Sequence, residues 1–267
     1  MQYFPDMTVF DAAGLADIHN HLVPGVDDGA RGLEEALRHL ADLSADGVTR
    51  LAVSPHLDGR LVHEDGALEA RMHRLATAFR ELRAAAAARA PLPTLVFGQE
   101  ILVPVPDTAR RLFQHPGLGI AGTSYALIEF GFDLGEDPPG VVRAVIDAGR
   151  KPIVAHPERY RRNGGQVGLE EIRSWKDSGA LLQVNAGSVL GDYGPEIQAR
   201  AFSLIDDGLA DLIATDHHAD SRAVSPARTR HALEERGAAE QATLLLATNP
   251  RRVLDDQATL PVPPLRR

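Results

Sequence analysis

The chain contains no cysteine. That absence excludes disulfides, thiolate-bound zinc, iron–sulfur clusters and every cysteine nucleophile, including the phosphocysteine route to phosphate release. An excess of positive charge is also missing. Lys+Arg number 28 against 37 Asp+Glu, a net charge of -9, which argues against a nucleic-acid partner. No window approaches the roughly 20 apolar residues of a membrane span, so no membrane insertion is expected. The start, Met1 to Asp6, lacks the basic and apolar runs of a signal peptide, and a cytoplasmic protein is the expectation. Repeats, low-complexity linkers and composition breaks are absent as well.

What remains is enough for one sizeable core. A chain of 267 residues, 44% hydrophobic and 24% charged, fits a single α/β barrel or at most two small domains. Short apolar runs at Leu15–Ile18, Leu51–Val53, Leu95–Phe97, Ala126–Ile128, Ile153–Ala155, Leu181–Val184 and Leu212–Ala214 read as buried strands. Helical periodicity lies between them. Leu33, Ala36, Leu37, Leu40 and Leu43 line one face of the first helix, and an Ala/Arg/Leu-rich helix from about Gly66 to Arg89 ends before Pro91 and Pro93. Further helices are expected near Asp107–Phe113, Pro138–Ala148, Leu169–Ser178, Glu196–Asp207, Pro226–Arg236 and Ala239–Ala247. Regular strand-then-helix alternation argues for a parallel sheet, closed as a barrel or open and doubly wound. The expected organisation is an N-terminal extension over 1–14, one domain over 15–254, and a mobile tail over 255–267.

The chemistry gathers at one end of these strands. The first runs into His19-Asn20-His21, and histidines at i and i+2 on extended chain point to the same side, where they can share an ion. The second ends in Ser54-Pro55-His56, the third in Gly98-Gln99-Glu100, and the fourth in Glu129. The fifth ends in His156-Pro157-Glu158-Arg159, the sixth in Gln183-Val184-Asn185, and the seventh in Asp216-His217-His218. In a β/α barrel, sites are built at the C-terminal ends of the strands. Imidazole with carboxylate and no thiolate suits zinc, manganese or iron, and the supply of ligands exceeds what one ion needs. Two or three ions fit better, and such clusters serve hydrolysis at phosphorus. Asp27 and Asp28 precede Gly29, and the residues alone leave open which of them turns to an ion. His39, His63, His73, His115, His217 and His231 are read as structural.

Together these motifs, with Pro24-Gly25-Val26-Asp27-Asp28-Gly29-Ala30 and Gln183-Val184-Asn185-Ala186-Gly187-Ser188, resemble the polymerase-and-histidinol-phosphatase (PHP) superfamily. Within it they are most similar to the CpsB/YwqE-like tyrosine phosphatases of bacterial capsule and exopolysaccharide synthesis. The resemblance runs from about Ala16 to Val253 in motif order. It implies a single distorted (β/α)7 TIM-like barrel of the PHP type with a trinuclear, manganese-preferring cluster, zinc, iron(II) or cobalt being alternatives. Carried over by position, one ion takes His19, His21, Glu100 and Asp216, and a second shares Glu100 and adds Glu129 and His156. A third takes Asp28, His56 and His218, Asp28 being the Asp directly before the glycine. Arg159 resembles a phosphate-facing arginine, and His156 and Asp216 join it as catalytic candidates.

The implied activity is removal of phosphate from an autophosphorylating bacterial tyrosine kinase that controls polysaccharide export. The attack would be in line, by hydroxide at phosphorus, with no covalent phospho-enzyme. One stretch departs from the pattern. Leu57-Asp58-Gly59-Arg60 stands where many relatives carry a basic loop, and Arg60 is the candidate replacement for that charge in substrate binding. The nearest rival activity is hydrolysis of histidinol phosphate or another small phosphomonoester. A DNA exonuclease and a non-catalytic barrel binding export proteins are weaker rivals, the first opposed by net charge and the second by the full ligand set.

Overall fold

A computed structural model describes residues 14–89 and 91–265, so the expected extension over 1–14 lies outside the described residues apart from Gly14. Each expected strand forms. The first stave of the barrel is β1 (Leu15–Asp17), the second is broken into β2 (Val48–Val53) and β3 (His56–Asp58), and the third into β4 (Thr94–Phe97) and β5 (Glu100–Leu102). Then follow β6 (Tyr125–Glu129), β7 (Lys151–Ala155), a small antiparallel hairpin of β8 (Arg161–Arg162) and β9 (Gly165–Gln166), β10 (Leu181–Asn185) and β11 (Leu212–Ala214). Covering helices are α1 (Leu33–Ala45), α2 (Ala67–Ala87), α3 (Pro106–Leu112), α4 (Pro138–Asp147) and α5 (Leu169–Asp177). They continue with α6 (Ala186–Leu190), α7 (Pro195–Asp206), α8 (Pro226–Glu235), and α9 (Ala239–Thr243), which leads through a π turn into α10 (Asn249–Leu254). On α1, Ala36, Leu37, Leu40 and Leu43 face inward as the period requires, while Leu33 is left exposed at the helix start.

All stave pairings are parallel, in the orders β1-β2-β4 and β3-β5-β6-β7-β10-β11. The two sheets are one surface because the second and third staves bend. Proline cannot donate to a ladder, and at Pro55 the second stave breaks; Gly98 and Gln99 break the third beside it. The ring closes where Asn20 bridges His217, with Asp216 N donating to His19 O at 2.7 Å and His21 N to His217 O at 2.8 Å. The chain is therefore a closed, distorted seven-stave (β/α) barrel, and the open doubly wound alternative falls away.

Side-chain parity sorts the interior. Ala16, Ile18, Ala52, Leu127, Ile153, Ala155, Leu212 and Ala214 share the inner cluster, while Val53, Ala126, Ile128, Val154, Leu182 and Ile213 face the helices. Seven strands enclose a narrower bore than eight, which explains the alanines at Ala16, Ala52, Ala155 and Ala214. Val253 and Leu254 of α10 complete the inner cluster. Ion pairs from Arg50 to Asp255 at 2.7 Å and from Lys151 to Asp256 at 3.8 Å fasten this end to the starts of β2 and β7. Continuing the parity upward brings Glu129, Gln183, Asn185 and Asp216 to the opposite end.

The segment after Leu254 corrects the expectation of a mobile tail. Gln257 O accepts from the Tyr125 hydroxyl at 2.8 Å, Leu260 is held at both backbone groups by Asn249, Val262 is buried, and Leu265 N donates to Asp206 O at 2.9 Å. The strap's order comes from acceptors and donors on other elements, Tyr125 on β6, Asn249 on α10 and Asp206 on α7. No helix among the described residues is long and apolar enough to cross a membrane.

Asp17 was not singled out by sequence, yet it ties the closing seam. Its carboxylate accepts from Thr215 N at 3.0 Å, the Thr215 hydroxyl at 2.7 Å and Asn20 Nδ2 at 3.2 Å, all buried. Removing the acceptor strands Thr215 N, at about 1–3 kcal/mol, and weakens the other two donors, which keep His19 O and Ala52 O as second acceptors. Asp17→Ala is expected to lower unfolding free energy by about 2–4 kcal/mol in urea titration. An unchanged midpoint would show that the seam does not rely on this carboxylate.

Candidate metal centre

Bent staves two and three place the first pair of groups. His56 and Glu100 are register partners on β3 and β5, and His56 Nδ1 lies 2.8 Å from Glu100 Oε2. The closing seam places the second set, because the bonds that join β1 to β11 bring His19 and His21 against Asp216. His19 Nε2 lies 3.2 Å from Glu100 Oε1 and 3.5 Å from Asp216 Oδ1. His21 Nε2 lies 3.4 Å from Glu100 Oε2, from Asp216 Oδ1 and from His19 Nε2. His156 Nε2 lies 2.9 Å from Glu100 Oε1, and Glu129 reaches to 3.9 Å from His56 Nδ1. Asp28 Oδ1 is 3.3 Å from His56 Nε2 and 3.4 Å from His218 Nε2.

Every candidate ligand therefore lies in one cluster, with overlapping groups inside it. The tight groups are His21, Asp28, His56 and His218; His19, His21 and Asp216; and His56, Glu100 and Glu129, with donor atoms in each group within 4.8 Å of one another. Thus His21 and His56 each belong to two groups, and Glu100 also touches His19 and His156.

Asp27 and Asp28 divide their work. Asp27 turns under the site, with Oδ2 2.9 Å from His21 Nδ1 and accepting from His56 N at 3.0 Å, while its Oδ1 accepts from Gly29 N at 3.1 Å. The turn demands glycine at 29, since a Cβ there would lie 1.9 Å from His21 O. Asp28 is left facing the cluster.

The hydrogen bonds decide which nitrogens are free. His21 Nδ1 faces Asp27 and His19 Nδ1 faces Gln183 Oε1 at 2.8 Å, so it is Nε2 of each ring that points inward, and that nitrogen offers a lone pair once a cation displaces its proton. Gln183 is oriented in turn by Asn185, whose Nδ2 donates to Asp216 Oδ2 at 2.7 Å. Arg159 Nη1 donates to the same Oδ2 at 3.0 Å, leaving Oδ1 for the histidines. Ring nitrogens and carboxylate oxygens thus converge on one small space. Donors bound about 2.0–2.2 Å from one ion stand about 2.8–3.6 Å apart, and the 2.9–3.5 Å separations among His19, His21, His156, Glu100 and Asp216 match that. The donor set fits divalent metal.

The ionisation pattern has the same cause. Burial pushes Glu100 up, but His19, His156 and His21 outweigh it and hold its carboxyl well below the usual range. Asp216 is likewise drawn down against burial, by His19 and His21. The carboxylates in return raise His19, and raise His21 well above the ordinary imidazole value, although burial opposes both. Protons are here the counter-charge that a cation would supply. Glu129 is raised by burial and by the negative charge of Glu100. His218 is pushed down to about 4 by burial and by His21, which leaves it a neutral donor.

Two candidate ligands sit on strained backbone. His156 has φ 37° and Asp216 φ 50°, both in the left-handed region that side chains avoid. Beside His156, the buried Glu158 accepts from Asn185 N at 2.9 Å and Ser188 Oγ at 2.6 Å, anchoring the turn. Arg159 is consequently free of Glu158. Its guanidinium lies between Phe132 and Tyr193, 4.7 and 4.3 Å from their ring centres. Arg60 does not join the site. It forks onto its neighbour Asp58, with Nη2 2.6 Å from Oδ2, and points to solvent.

Arg222 is the residue that sequence reasoning passed over. Its Nη2 lies 2.6 Å from His218 Nε2 and 3.4 Å from Asp216 Oδ1, a second guanidinium at the rim. The signal available was its place four residues after His218. His39 and His217, read as structural, pair with each other at 3.0 Å, and His39 passes on to Asp220 at 2.9 Å.

A carboxylate that orients a ligating imidazole typically contributes 10–100-fold in metal affinity. Asp27→Ala is expected to weaken manganese or zinc binding by about that factor in calorimetric titration, with an unchanged circular dichroism spectrum. Wild-type affinity in the variant would remove Asp27 from the site.

Comparison with known proteins agrees with this geometry. The family described as capsular polysaccharide synthesis, CpsB/CapC, matches residues 15–255. The CapC protein of Staphylococcus aureus is 30% identical over 76% of this chain and 77% of its own length. The tyrosine-protein phosphatase CpsB of Streptococcus pneumoniae is 26% identical over 91% of this chain and 99% of its own. A solved structure from a study of YwqE from Bacillus subtilis and CpsB from Streptococcus pneumoniae, described as metal-dependent tyrosine phosphatases, superposes with a TM-score of 0.73. It is 25% identical and covers 93% of this chain and 98% of the other. With a family match over nearly its whole length and the family's fold, this chain belongs to the CpsB/CapC family of capsular polysaccharide synthesis proteins.

Proposed function

We propose that the protein is a metal-dependent tyrosine phosphatase acting on phosphotyrosine in a protein substrate. The observation that carries this is the convergence of buried Glu100, Asp216, His19, His21 and His156 with the half-exposed His56, opening beside Arg159. Relatives named as tyrosine-protein phosphatases favour this reading over hydrolysis of histidinol phosphate or another small phosphomonoester. The ligands we assign are His19, His21, Asp28, His56, Glu100, Glu129, His156, Asp216 and His218. Their number supports three ions, and the all-nitrogen-and-oxygen donor set supports manganese, with zinc, iron(II) or cobalt as substitutes. The bound cations would activate water and neutralise phosphoryl oxygens.

The chain's own groups do the rest. Arg159, held between two rings and directed by Asp216, presents a fixed fork that suits two phosphoryl oxygens. Arg222 faces the same space from the His218 side. A phenolate leaving group, with a pKa of about 10 in water, needs little help from a general acid. With no cysteine in the chain a phosphocysteine is ruled out, and direct displacement by water is the route we assign. An autophosphorylating tyrosine kinase of polysaccharide export is the substrate that capsule-synthesis membership supports.

The test is phosphate release by metal-stripped protein given back manganese, with phosphotyrosyl peptide, phosphoseryl peptide and histidinol phosphate compared. Manganese should restore phosphotyrosine turnover, and His156→Ala or Arg159→Ala should lower kcat/KM by about 100-fold or more. Activity that survives complete chelation, or faster turnover of histidinol phosphate, would overturn the proposal.

A further inference from the structure

A groove of about 600 Å³ opens directly beside the metal centre, lined by Phe132, Arg159, Arg161, Gln166, Tyr193 and Ile197 among others. That volume is in the range of ligand clefts, about 300–1,000 Å³. Its inner wall is the site itself, for Arg159 contacts Asp216 and Phe132 stacks on His156 with ring centres 5.5 Å apart and planes 24° from parallel. A group attached to a phosphate held at Arg159 has this groove in front of it.

Three features limit what that group is. Phe132 is 48% exposed, one of few large apolar side chains so placed among the described residues, and it is held open at the mouth. Its position is fixed by backbone: Arg161 N donates to Phe132 O at 2.8 Å, and Leu134 N to Arg161 O at 2.9 Å, sewing the loop after β6 to the β8–β9 hairpin. Arg161 is exposed, and its guanidinium has no partner among the described residues, although most arginines of this acidic chain are paired. Tyr193, on the facing wall, has a buried hydroxyl that also lacks a partner among the described residues. The one carboxylate of the lining is Glu196, in the first turn of α7.

We propose that this groove is a peptide subsite, in which the phenol ring of the substrate tyrosine lies on Phe132 and an acidic residue next to it in the chain pairs with Arg161. The inference rests on the phosphotyrosine reading above and adds a sequence preference to it. An aryl phosphate stacks on Phe132 where an alkyl phosphate cannot, so ring recognition and leaving-group chemistry act together. The salt-exposed Arg161 selects by charge and does so less as ionic strength rises.

The experiment uses manganese-loaded protein and two phosphotyrosyl peptides that differ only in carrying glutamate or lysine at the residues flanking the tyrosine. Each kcat/KM is divided by the same protein's value on p-nitrophenyl phosphate, which normalises for the metal centre. The wild type should favour the glutamate peptide by about three- to tenfold, less in 0.5 M salt, a concentration at which the Debye length is about half its value at 0.1 M. Arg161→Glu should abolish or invert the ratio. Phe132→Ala should raise KM for phosphotyrosyl peptide by about two- to tenfold relative to Phe132→Tyr, with a smaller change on phosphoseryl peptide. A glutamate-to-lysine ratio that is the same in wild type and Arg161→Glu overturns the subsite while leaving tyrosine phosphatase activity in place. Wild-type protein that hydrolyses p-nitrophenyl phosphate and neither peptide overturns the phosphotyrosine reading and the subsite together.

Discussion

The seam between the first and last barrel strands governs the rest of the molecule. Closure occurs through Asp216 N to His19 O and His21 N to His217 O, so the bonds that make the barrel a barrel also set two imidazoles against one carboxylate. Asp17 and Thr215 fasten the seam from beneath. A shift of one residue there would turn the inward groups outward. Fold and site are consequently one construction at this point, and the packing of eight small and branched side chains below it supports a polar layer above.

That polar layer is costly unless charge is balanced, because buried carboxylates lose their hydration. The chain answers in two ways. Imidazoles surround Glu100 and Asp216, and guanidiniums stand at the rim, Arg159 on one side and Arg222 on the other. The remaining deficit is met by cations in the proposed enzyme and by protons otherwise, which explains why His21 is raised so far. Left-handed backbone at His156 and Asp216 shows strain held where function requires a particular aim. Outside this centre, the arginines of Arg38, Arg50 and Arg89 are spent on surface ion pairs.

Much of the fold was legible because parallel barrel strands are buried on both faces and read as short continuous apolar runs. Leu127 and Ile153 announce themselves in this way, and the helices between them follow from period and proline. The residues that cluster were legible for a related reason: a strand that ends in His156 or Asp216 places a costly group where the apolar run stops. The docked strap after Leu254 was not legible. Its prolines mark extended chain, but the partners that order it, Asn249, Gln241 and Asp206, lie on other elements. Arg60 misled for the same reason, since nothing local distinguishes an arginine free to reach substrate from one forked onto Asp58.

By itself, the sequence determined the class of chemistry and the order of elements: no thiol, many imidazoles and carboxylates, and most of those that cluster placed at the end of an apolar run. These are properties of residue type and periodicity, which are local. Tertiary structure alone decided whether the sheet closes, which of Asp27 and Asp28 faces the cluster, how the histidines are shared between groups, and that Arg222 joins Arg159 at the rim. Each depends on which strands become neighbours and on which ring nitrogen a distant carboxylate or amide occupies. Those are distances across the fold, and no spacing along the chain contains them.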